Sequence, residues 1–194
     1  MAKLKETPSQ TAGPFLHIGT LPAIAGLRAA QPERQNILAA DGTLGERIRI
    51  EGRIHDGAGA VVKDAMVEIW QANANGQHGS NEFLGWGRAA TDFETGLFVF
   101  ETIKPGVTPF FDGRPQAPHI SLSIFARGIN VHLQTRMYFS DEAAANGSDP
   151  VLQLVGIPDL VATLIAHMKE SNGIPTYRFD IRLQGDGETV FFDI

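Results

Sequence analysis

Residues Lys104–Phe139 read KPGVTPFFDGRPQAPHISLSIFARGINVHLQTRMYF, and this stretch decides the fold. A Pro-Gly turn and a proline-rich loop lead into a segment that alternates polar and apolar side chains: His119, Ile120, Ser121, Leu122, Ser123 and Ile124. In a strand, alternate side chains point to opposite faces. The pattern predicts a strand with one face in a core and the other free for polar contacts or chemistry.

The second half of the stretch alternates in the same way as far as Phe139. Arg127-Gly128-Ile129-Asn130 joins the two segments, and its glycine can adopt a positive φ, so we expect a tight hairpin. Arg127 would lie at the mouth of this hairpin. From spacing alone, the simplest interpretation of Arg127 is a solvated charge at a turn.

Short β-rich segments continue on both sides of the hairpin, separated by turns that contain glycine and asparagine. The first begins at Arg47, and we predict further strands at 65–71, 88–91, 97–102, 177–183 and 189–193. One helix is predicted at 158–169, PDLVATLIAHMK, because its apolar residues share a helical face and a proline opens its first turn. The fold class is therefore all-β, a mainly antiparallel β-sandwich with an extended N-terminal arm and one short helix.

The 194 residues suffice for one domain with a substantial core. We expect a single domain over 1–194, with residues 1–45 as an irregular arm and residues 46–194 as the sandwich. Pro8, Gly13 and Pro14 prevent a continuous helix in the arm. The apolar residues of the arm favour packing along a partner over disorder.

Composition excludes several classes of function. The chain has no cysteine, so disulfides and thiolate metal sites are ruled out. Sixteen basic residues against 22 acidic ones give a net charge of −6 without a basic run, which argues against nucleic acid as a partner. No apolar run reaches the roughly 18 residues of a membrane span, and nothing resembles a signal peptide, so we expect a cytoplasmic protein without membrane contact.

Five segments, in this order, resemble the intradiol ring-cleaving dioxygenases: TPSQTAGPF, IEGRIHDGAGAVVKDAMVEIWQANANG, GRAATDFETGLFVFETIKPG, APHISLSIFARGINVHLQTRMYF and YRFDIRLQGDGETVFFDI. The resemblance covers nearly the whole chain. It is strongest to the iron-free α subunits of the family's heteromeric members. Those enzymes cleave protocatechuate with O2 to 3-carboxy-cis,cis-muconate in the β-ketoadipate pathway, which is the function the resemblance implies.

The resemblance also identifies the positions of the metal ligands. Family members hold Fe3+ with two tyrosinates and two histidines, donors that suit ferric iron. At the tyrosine positions this chain has His78 and Thr108, and at the histidine pair it has His119 and Ser121. Since one ligand of four is retained, we expect no metal and no catalytic residue in this chain. The Fe3+ would then belong to the partner β subunit.

Two further family residues are exchanged. An arginine that precedes the first histidine is replaced by Gln116, and a glutamine on the next strand is replaced by Arg136. The chain's two tyrosines, Tyr138 and Tyr177, lie in other strand segments, so the sequence offers no obvious substitute phenolate.

In the similar α subunits, the positions that match Thr11, Gly13, Pro14 and Arg127 lie near the substrate pocket of the partner chain. The resemblance therefore implies that these four residues contribute to substrate binding. A guanidinium at Arg127 could orient the carboxylate of the aromatic substrate. The expected partners are the β subunit, an aromatic substrate and O2, in an assembly with several copies of each chain.

Two other interpretations stay open. A purely structural or ligand-binding β-sandwich subunit, with no contribution to a reaction, fits the lost metal ligands equally well. An independent metalloenzyme would need His55, His78, His119 and His132 to converge in space, which their sequence spacing does not support. A lone strand histidine such as His119 is more often a hydrogen-bonded core or interface residue than a ligand.

Overall fold

Most of the regular structure consists of β-strands, as a computed structural model of the chain establishes. It describes residues 5, 8–13, 15–24, 26–27, 35–171 and 173–193. The strands are β1 (Arg47–His55), β2 (Met66–Gln71), β3 (Trp86–Ala90), β4 (Leu97–Ile103), β5 (Thr108–Pro109), β6 (Pro115–Gln116), β7 (His119–Phe125), β8 (Leu133–Phe139), β9 (Ile165–Ser171), β10 (Ile174–Arg178) and β11 (Ile181–Arg182).

Within the described residues, four short helices accompany the strands: α1 (Phe15–Thr20), α2 (Ala143–Ser148), α3 (Pro150–Val155) and α4 (Pro158–Ala162). The prediction of one helix is therefore wrong in number. None of the helices in the described ranges has both the length and the apolar character needed to cross a bilayer.

The main sheet has the strand order β11-β1-β10-β9-β8-β7-β2-β3, and β4 pairs with the other side of β1. Most neighbouring strands are antiparallel, but β1 runs parallel to β10 and β11, and β8 runs parallel to β9. The all-β prediction is confirmed, and the sheet is mixed rather than purely antiparallel. β5 and β6 form a separate two-stranded ribbon just before β7.

One core cluster joins both halves of the sheet, as in a sandwich. It contains buried side chains from β1 and β4 on one side, such as Ile50 and Phe100, and from β7 and β8 on the other, such as Leu122 and Met137. Strand β1 alternates between buried and half-buried residues along its whole length. The alternation read from the sequence therefore determines which face of each strand enters the core.

The predicted hairpin is confirmed as the antiparallel pair β7–β8, with Ile124 opposite Leu133. Its connecting loop, residues 126–132, is longer than the tight link that was predicted, although Gly128 does adopt a positive φ of 87°. Polar groups of a longer loop need partners outside the strand ladder. The N-terminal arm supplies them, as described below.

The predicted helix 158–169 is wrong over its second half. Helix α4 ends at Ala162, where the Thr163 hydroxyl donates to the Leu160 carbonyl, and Ile165 then pairs in parallel with Tyr138 of β8. Pairing with an existing sheet outweighed the helical spacing of the apolar residues. The predicted strand 177–183 is divided into β10 and β11, and 189–193 is not a strand but makes an isolated bridge between Phe192 and Gln134.

Asp149 is the buried polar centre of this end of the molecule. Its carboxylate is fully shielded from solvent and accepts hydrogen bonds from the backbone N–H groups of Ala117, Val151 and Leu152, at 2.8, 2.8 and 2.9 Å. It also accepts one from the Tyr138 hydroxyl at 3.2 Å. Asp149 thereby caps the N-terminus of α3 and attaches this helix to the β6–β7 connection and to β8.

We expect Asp149→Ala to lower the free energy of unfolding by about 3 kcal/mol or more, because it leaves several buried donors without an acceptor. The free energy of unfolding of Asp149→Asn should lie between those of the parent and Asp149→Ala, since an amide oxygen still accepts some of these hydrogen bonds. Urea denaturation of the three proteins measures the effect. Asp159→Ala is the matched control, because Asp159 is an exposed first-turn residue of α4. The interpretation fails if both alanine variants are equally stable.

Candidate functional site

The positions assigned to metal ligands lie around the outward face of β7. His119 and Ser121 are two residues apart on β7, and Ser121 lies opposite Arg136 of β8. Thr108 belongs to the β5–β6 ribbon that leads into β7, and His78 lies in the loop after β2. The fold therefore places these positions around one region, although the residues that occupy them have changed.

His119 is a structural side chain in this arrangement. It is 8% exposed, and its Nδ1 lies 2.8 Å from the carbonyl oxygen of Ala117, to which it donates as a neutral imidazole. Burial, reinforced by the nearby charge of Arg136, lowers the pKa of His119 to about 4. A ring held neutral and engaged with the backbone matches the hydrogen-bonded core histidine that the sequence favoured.

A hydrogen-bonded chain connects residues around the predicted metal-ligand positions. Arg136 Nη1 donates to Gln116 Oε1 at 2.8 Å. Gln116 Nε2 donates to the Thr108 hydroxyl at 3.3 Å and to the Pro109 carbonyl at 3.0 Å. The two exchanged residues, glutamine on β6 and arginine on β8, therefore bind one another, and Thr108 is satisfied without a metal.

Carboxylate partners keep both tyrosines of the chain in the neutral phenol form. Burial and the neighbouring Asp149 raise the pKa of Tyr138 above its usual range, and its hydroxyl donates to Asp149. Burial and Asp141 raise the pKa of Tyr177 to about 12, and its hydroxyl donates to Asp141 at 3.0 Å. Both hydroxyls are thus engaged as donors to carboxylates.

His78 is exposed and lies against a tryptophan. Its ring stacks on Trp70 with the ring centroids 5.6 Å apart and the planes 12° from parallel. Partial shielding from water lowers the pKa of His78 below its ordinary value. This stacking holds the imidazole ring of His78 at the edge of the region around the outward face of β7.

Ferric iron does not fit this donor set. Fe3+ needs anionic donors to offset its charge, whereas these positions offer two neutral imidazoles, two hydroxyls and the fixed positive charge of Arg136 nearby. In the described ranges, no three histidine, aspartate, glutamate or cysteine side chains come together in a way that could hold a metal ion. The four-histidine metalloenzyme therefore has no support in this part of the chain.

A second site forms where the N-terminal arm crosses the β7–β8 loop. Thr11 Oγ1 accepts a hydrogen bond from the Gly128 N–H at 2.8 Å and lies 3.4 Å from the Ala126 carbonyl, to which it donates. Ser9 Oγ donates to the Asn130 carbonyl at 2.6 Å. Thr11 thus binds the backbone on both sides of Arg127, which joins two elements that are more than 110 residues apart in sequence.

Arg127 itself points largely into solvent. Its side chain is 73% exposed, and its Nε lies 2.5 Å from Asp64 Oδ2, in the connection between β1 and β2. A guanidinium has five N–H donors, so one carboxylate partner leaves donors for another acceptor. Asp64 therefore restricts the side chain without using all of its donors.

The arm and the loop enclose a cavity of about 370 Å3, which we call the arm pocket; its lining includes Thr11, Gly13, Leu16, Phe125 and His132. Apart from its two chain neighbours, no atom of the described residues lies within 4 Å of a Cβ added to Gly13. The structure thus brings Thr11, Gly13 and the Arg127 loop together. Pro14, the fourth predicted binding residue, lies outside the described residues.

Sequence reasoning missed Ser9, Asp64 and Asp149 as contributors to these sites. Asp149 precedes a proline, and this Asp-Pro pair is a recognisable helix start. Ser9 and Asp64 carry no such signal, because their roles depend on contacts with residues 121 and 63 positions away.

Comparison with known proteins agrees with the fold. The sequence profile of a family described as dioxygenase matches residues 22–185. The protocatechuate 3,4-dioxygenase alpha chain of Pseudomonas putida is 50% identical over 98% of this chain and 97% of its own length. The protocatechuate 3,4-dioxygenase beta chain of Burkholderia cepacia is 37% identical over 75% of this chain and 68% of its own length.

The same fold occurs among solved structures. Catechol 1,2-dioxygenase from Acinetobacter sp. ADP1 superposes with a TM-score of 0.60 at 17% identity, over 92% of this chain and 72% of that one. At that identity the likeness shows the fold alone, whereas the sequence relatives show the family. The chain belongs to the intradiol ring-cleaving dioxygenase family.

The lowered pKa of His119 can be tested directly. A neutral buried ring contributes stability above its ordinary pKa of about 6.5, and this contribution is lost as the pH falls through about 4, where the folded form takes up the proton. An NMR titration should therefore show the His119 ring unprotonated at pH 5.5. His119→Gln should lose less stability than the parent between pH 7 and pH 4. A pKa near 6.5 for His119 in the NMR titration would contradict the assignment of His119 as a buried, neutral ring.

Proposed function

We propose that this chain is the iron-free α subunit of a protocatechuate 3,4-dioxygenase and that its arm and β7–β8 loop complete the substrate pocket of the β subunit. The observation that carries the proposal is the Thr11 hydroxyl, which binds the backbone on both sides of Arg127. If Arg127 were only a solvated charge at a turn, the backbone on both sides of it would not need to be held by Thr11. The relatives named alpha chain over their full lengths support the same role.

In this proposal the Fe3+ belongs to the β chain. The support is chemical: the family's ferric site needs phenolate and imidazole donors, and this chain has replaced them with the Arg136–Gln116–Thr108 chain. Bound in the β subunit, the iron would engage the catecholic substrate for its reaction with O2. The product would be 3-carboxy-cis,cis-muconate, in which the ring is opened between the two hydroxyl-bearing carbons.

Arg127 would recognise the substrate by charge. Protocatechuate has a carboxylate besides its two phenolic oxygens, and a planar guanidinium binds a carboxylate through two parallel hydrogen bonds. Asp64 holds Nε, so the terminal nitrogens keep a defined direction. This arrangement orients the ring from outside the metal site and takes no part in breaking bonds.

Gly13 would serve the pocket by being small. Beyond its chain neighbours, the described residues leave the 4 Å around a Cβ placed there empty, so their packing does not require the glycine. Space above the arm would admit a flat ring or a partner side chain. We extend the same proposal to Pro14, whose ring would fix the path of the arm.

We further propose that the chain folds as one domain with residues 1–45 as an arm on the sandwich, that it assembles with β chains in several copies, and that it acts in the cytoplasm. The hydrogen bonds from Ser9 and Thr11 to the β7–β8 loop support the role of the arm. Exposed apolar side chains at Phe111 (89%) and Leu154 (76%) are consistent with further contacts in an assembly.

Arg127→Gln in the assembled enzyme should lower kcat/KM for protocatechuate by about 10- to 100-fold, mainly through KM, because one charge-assisted contact is lost. Turnover of catechol, which lacks the carboxylate, should change little. Steady-state kinetics with both substrates measures the difference. Arg114→Gln is the matched control, since Arg114 is also an exposed loop arginine paired with an aspartate. Equal losses for both substrates would show that Arg127 does not read the carboxylate.

Thr11→Val and Gly13→Ala separate positioning from direct contact. Thr11→Val removes the hydroxyl that binds the loop and should raise KM for protocatechuate several-fold, with little change in subunit stability, because one of its two bonds is exposed and the other is long, at 3.4 Å. Gly13→Ala should leave the melting temperature unchanged, since its Cβ meets nothing in this chain, yet raise KM in the assembly. If Gly13→Ala leaves KM unchanged as well, the arm serves assembly rather than substrate binding.

A further inference from the structure

A second cavity lies on the outer face of β8, away from the arm. It measures about 440 Å3, and we call it the β8 pocket. Its polar floor is formed by Ser121, Gln134, Thr135 and Arg136. Its walls are apolar, and they are formed by Phe110, Val151, Leu154, Val155, Val190 and Phe192. The size falls in the range of small-molecule sites, roughly 300–1,000 Å3.

The walls of the β8 pocket are fixed by hydrogen bonds. Thr135 Oγ1 donates to the Val190 carbonyl at 2.7 Å, and the Phe192 N–H donates to the Gln134 carbonyl at 2.8 Å, which attaches the C-terminal segment to β8. The opposite wall is α3, whose N-terminus is capped by Asp149. The pocket is therefore formed in the chain itself and does not require a ligand to create it.

Arg136 provides a positive charge at the floor of the pocket. The residue is half-buried, and Nη1 donates to Gln116. In the ranges that the structure describes, no carboxylate lies within 4.0 Å of its guanidinium, whereas Arg88 has Glu68 and Arg178 has Glu51 and Asp180. A guanidinium has five N–H donors, so Arg136 retains donors that an anionic ligand would accept from.

The combination of an unpaired guanidinium and apolar walls selects a particular chemistry. We propose that the β8 pocket binds a small monocarboxylate with an apolar body about the size of a benzene ring. The carboxylate would accept hydrogen bonds from Arg136, while the body would lie against Phe192, Leu154 and Val155. The Arg136 guanidinium already lies 6.0 Å from the centre of the Phe192 ring, so charge and apolar surface are adjacent. The floor of the β8 pocket shares Ser121 and Arg136 with the region around the outward face of β7, whereas Arg127 and the arm take no part in it.

The test uses the full chain, with benzoate as the probe and benzamide as its neutral counterpart. Methyl NMR shifts of Leu154, Val155 and Val190 report binding at this pocket without iron or activity, and titration gives the Kd. We expect benzoate to shift these methyl signals and to bind at least about 10-fold more tightly than benzamide, as loss of a charge-assisted pair implies. Repeating the titration with the β-chain complex shows whether the pocket stays open in the assembly.

Two variants localise the effect. Arg136→Gln should weaken benzoate binding at least about 10-fold and leave benzamide unaffected. Leu154→Asp should also weaken it, and it carries little folding risk because Leu154 is 76% exposed. Arg178→Gln, a half-buried arginine elsewhere, is the control and should bind as the parent does. The proposal is overturned if benzamide binds as well as benzoate, if neither Arg136→Gln nor Leu154→Asp weakens binding, or if saturating benzoate leaves the pocket methyl signals unmoved.

Discussion

The buried carboxylate of Asp149 is the constraint on which both faces of the β8 strand depend. Four hydrogen bonds connect it to the start of α3, to Ala117 just before β7 and to the Tyr138 hydroxyl on β8. A buried charge is stable only when its hydrogen bonds are satisfied, so these three elements cannot move independently. Their fixed relation places His119, Gln116 and Arg136 in register, and it also forms one wall of the β8 pocket.

The positions that the resemblance assigns to the metal ligands carry a hydrogen-bonded network in this chain. Arginine and glutamine have exchanged strands relative to the iron-bearing pattern and still bind each other, while Thr108 accepts the remaining amide proton. His119 remains but is buried and neutral. The fold of a ring-cleaving dioxygenase is thus retained, and we propose that the donors of its metal are replaced. In this proposal the arm and Arg127 are the residues through which the chain contributes to the reaction.

Alternation of side chains made the β7–β8 hairpin and most strands predictable, because each strand must bury every second residue. The segment after Pro158 was mispredicted for the opposite reason: its apolar spacing fits a helix, but β8 offers a parallel edge that Ile165 joins. The presence of that strand edge cannot be read from the sequence of the segment itself. The resemblance identified Thr11, Gly13 and Arg127, which the fold gathers at the arm. Asp64 and Ser9 could not be found, because only the folded chain brings them to the loop.

The central claim is that this chain supplies pocket residues and no iron. Iron content measured on the chain purified alone, beside the same chain co-expressed with its β partner, tests it most directly. We predict that the lone chain carries no stoichiometric iron and cleaves no protocatechuate, while the co-expressed pair contains iron and opens the ring. Stoichiometric iron in the lone chain would contradict the account, because the positions around His119 would then hold a metal despite Arg136.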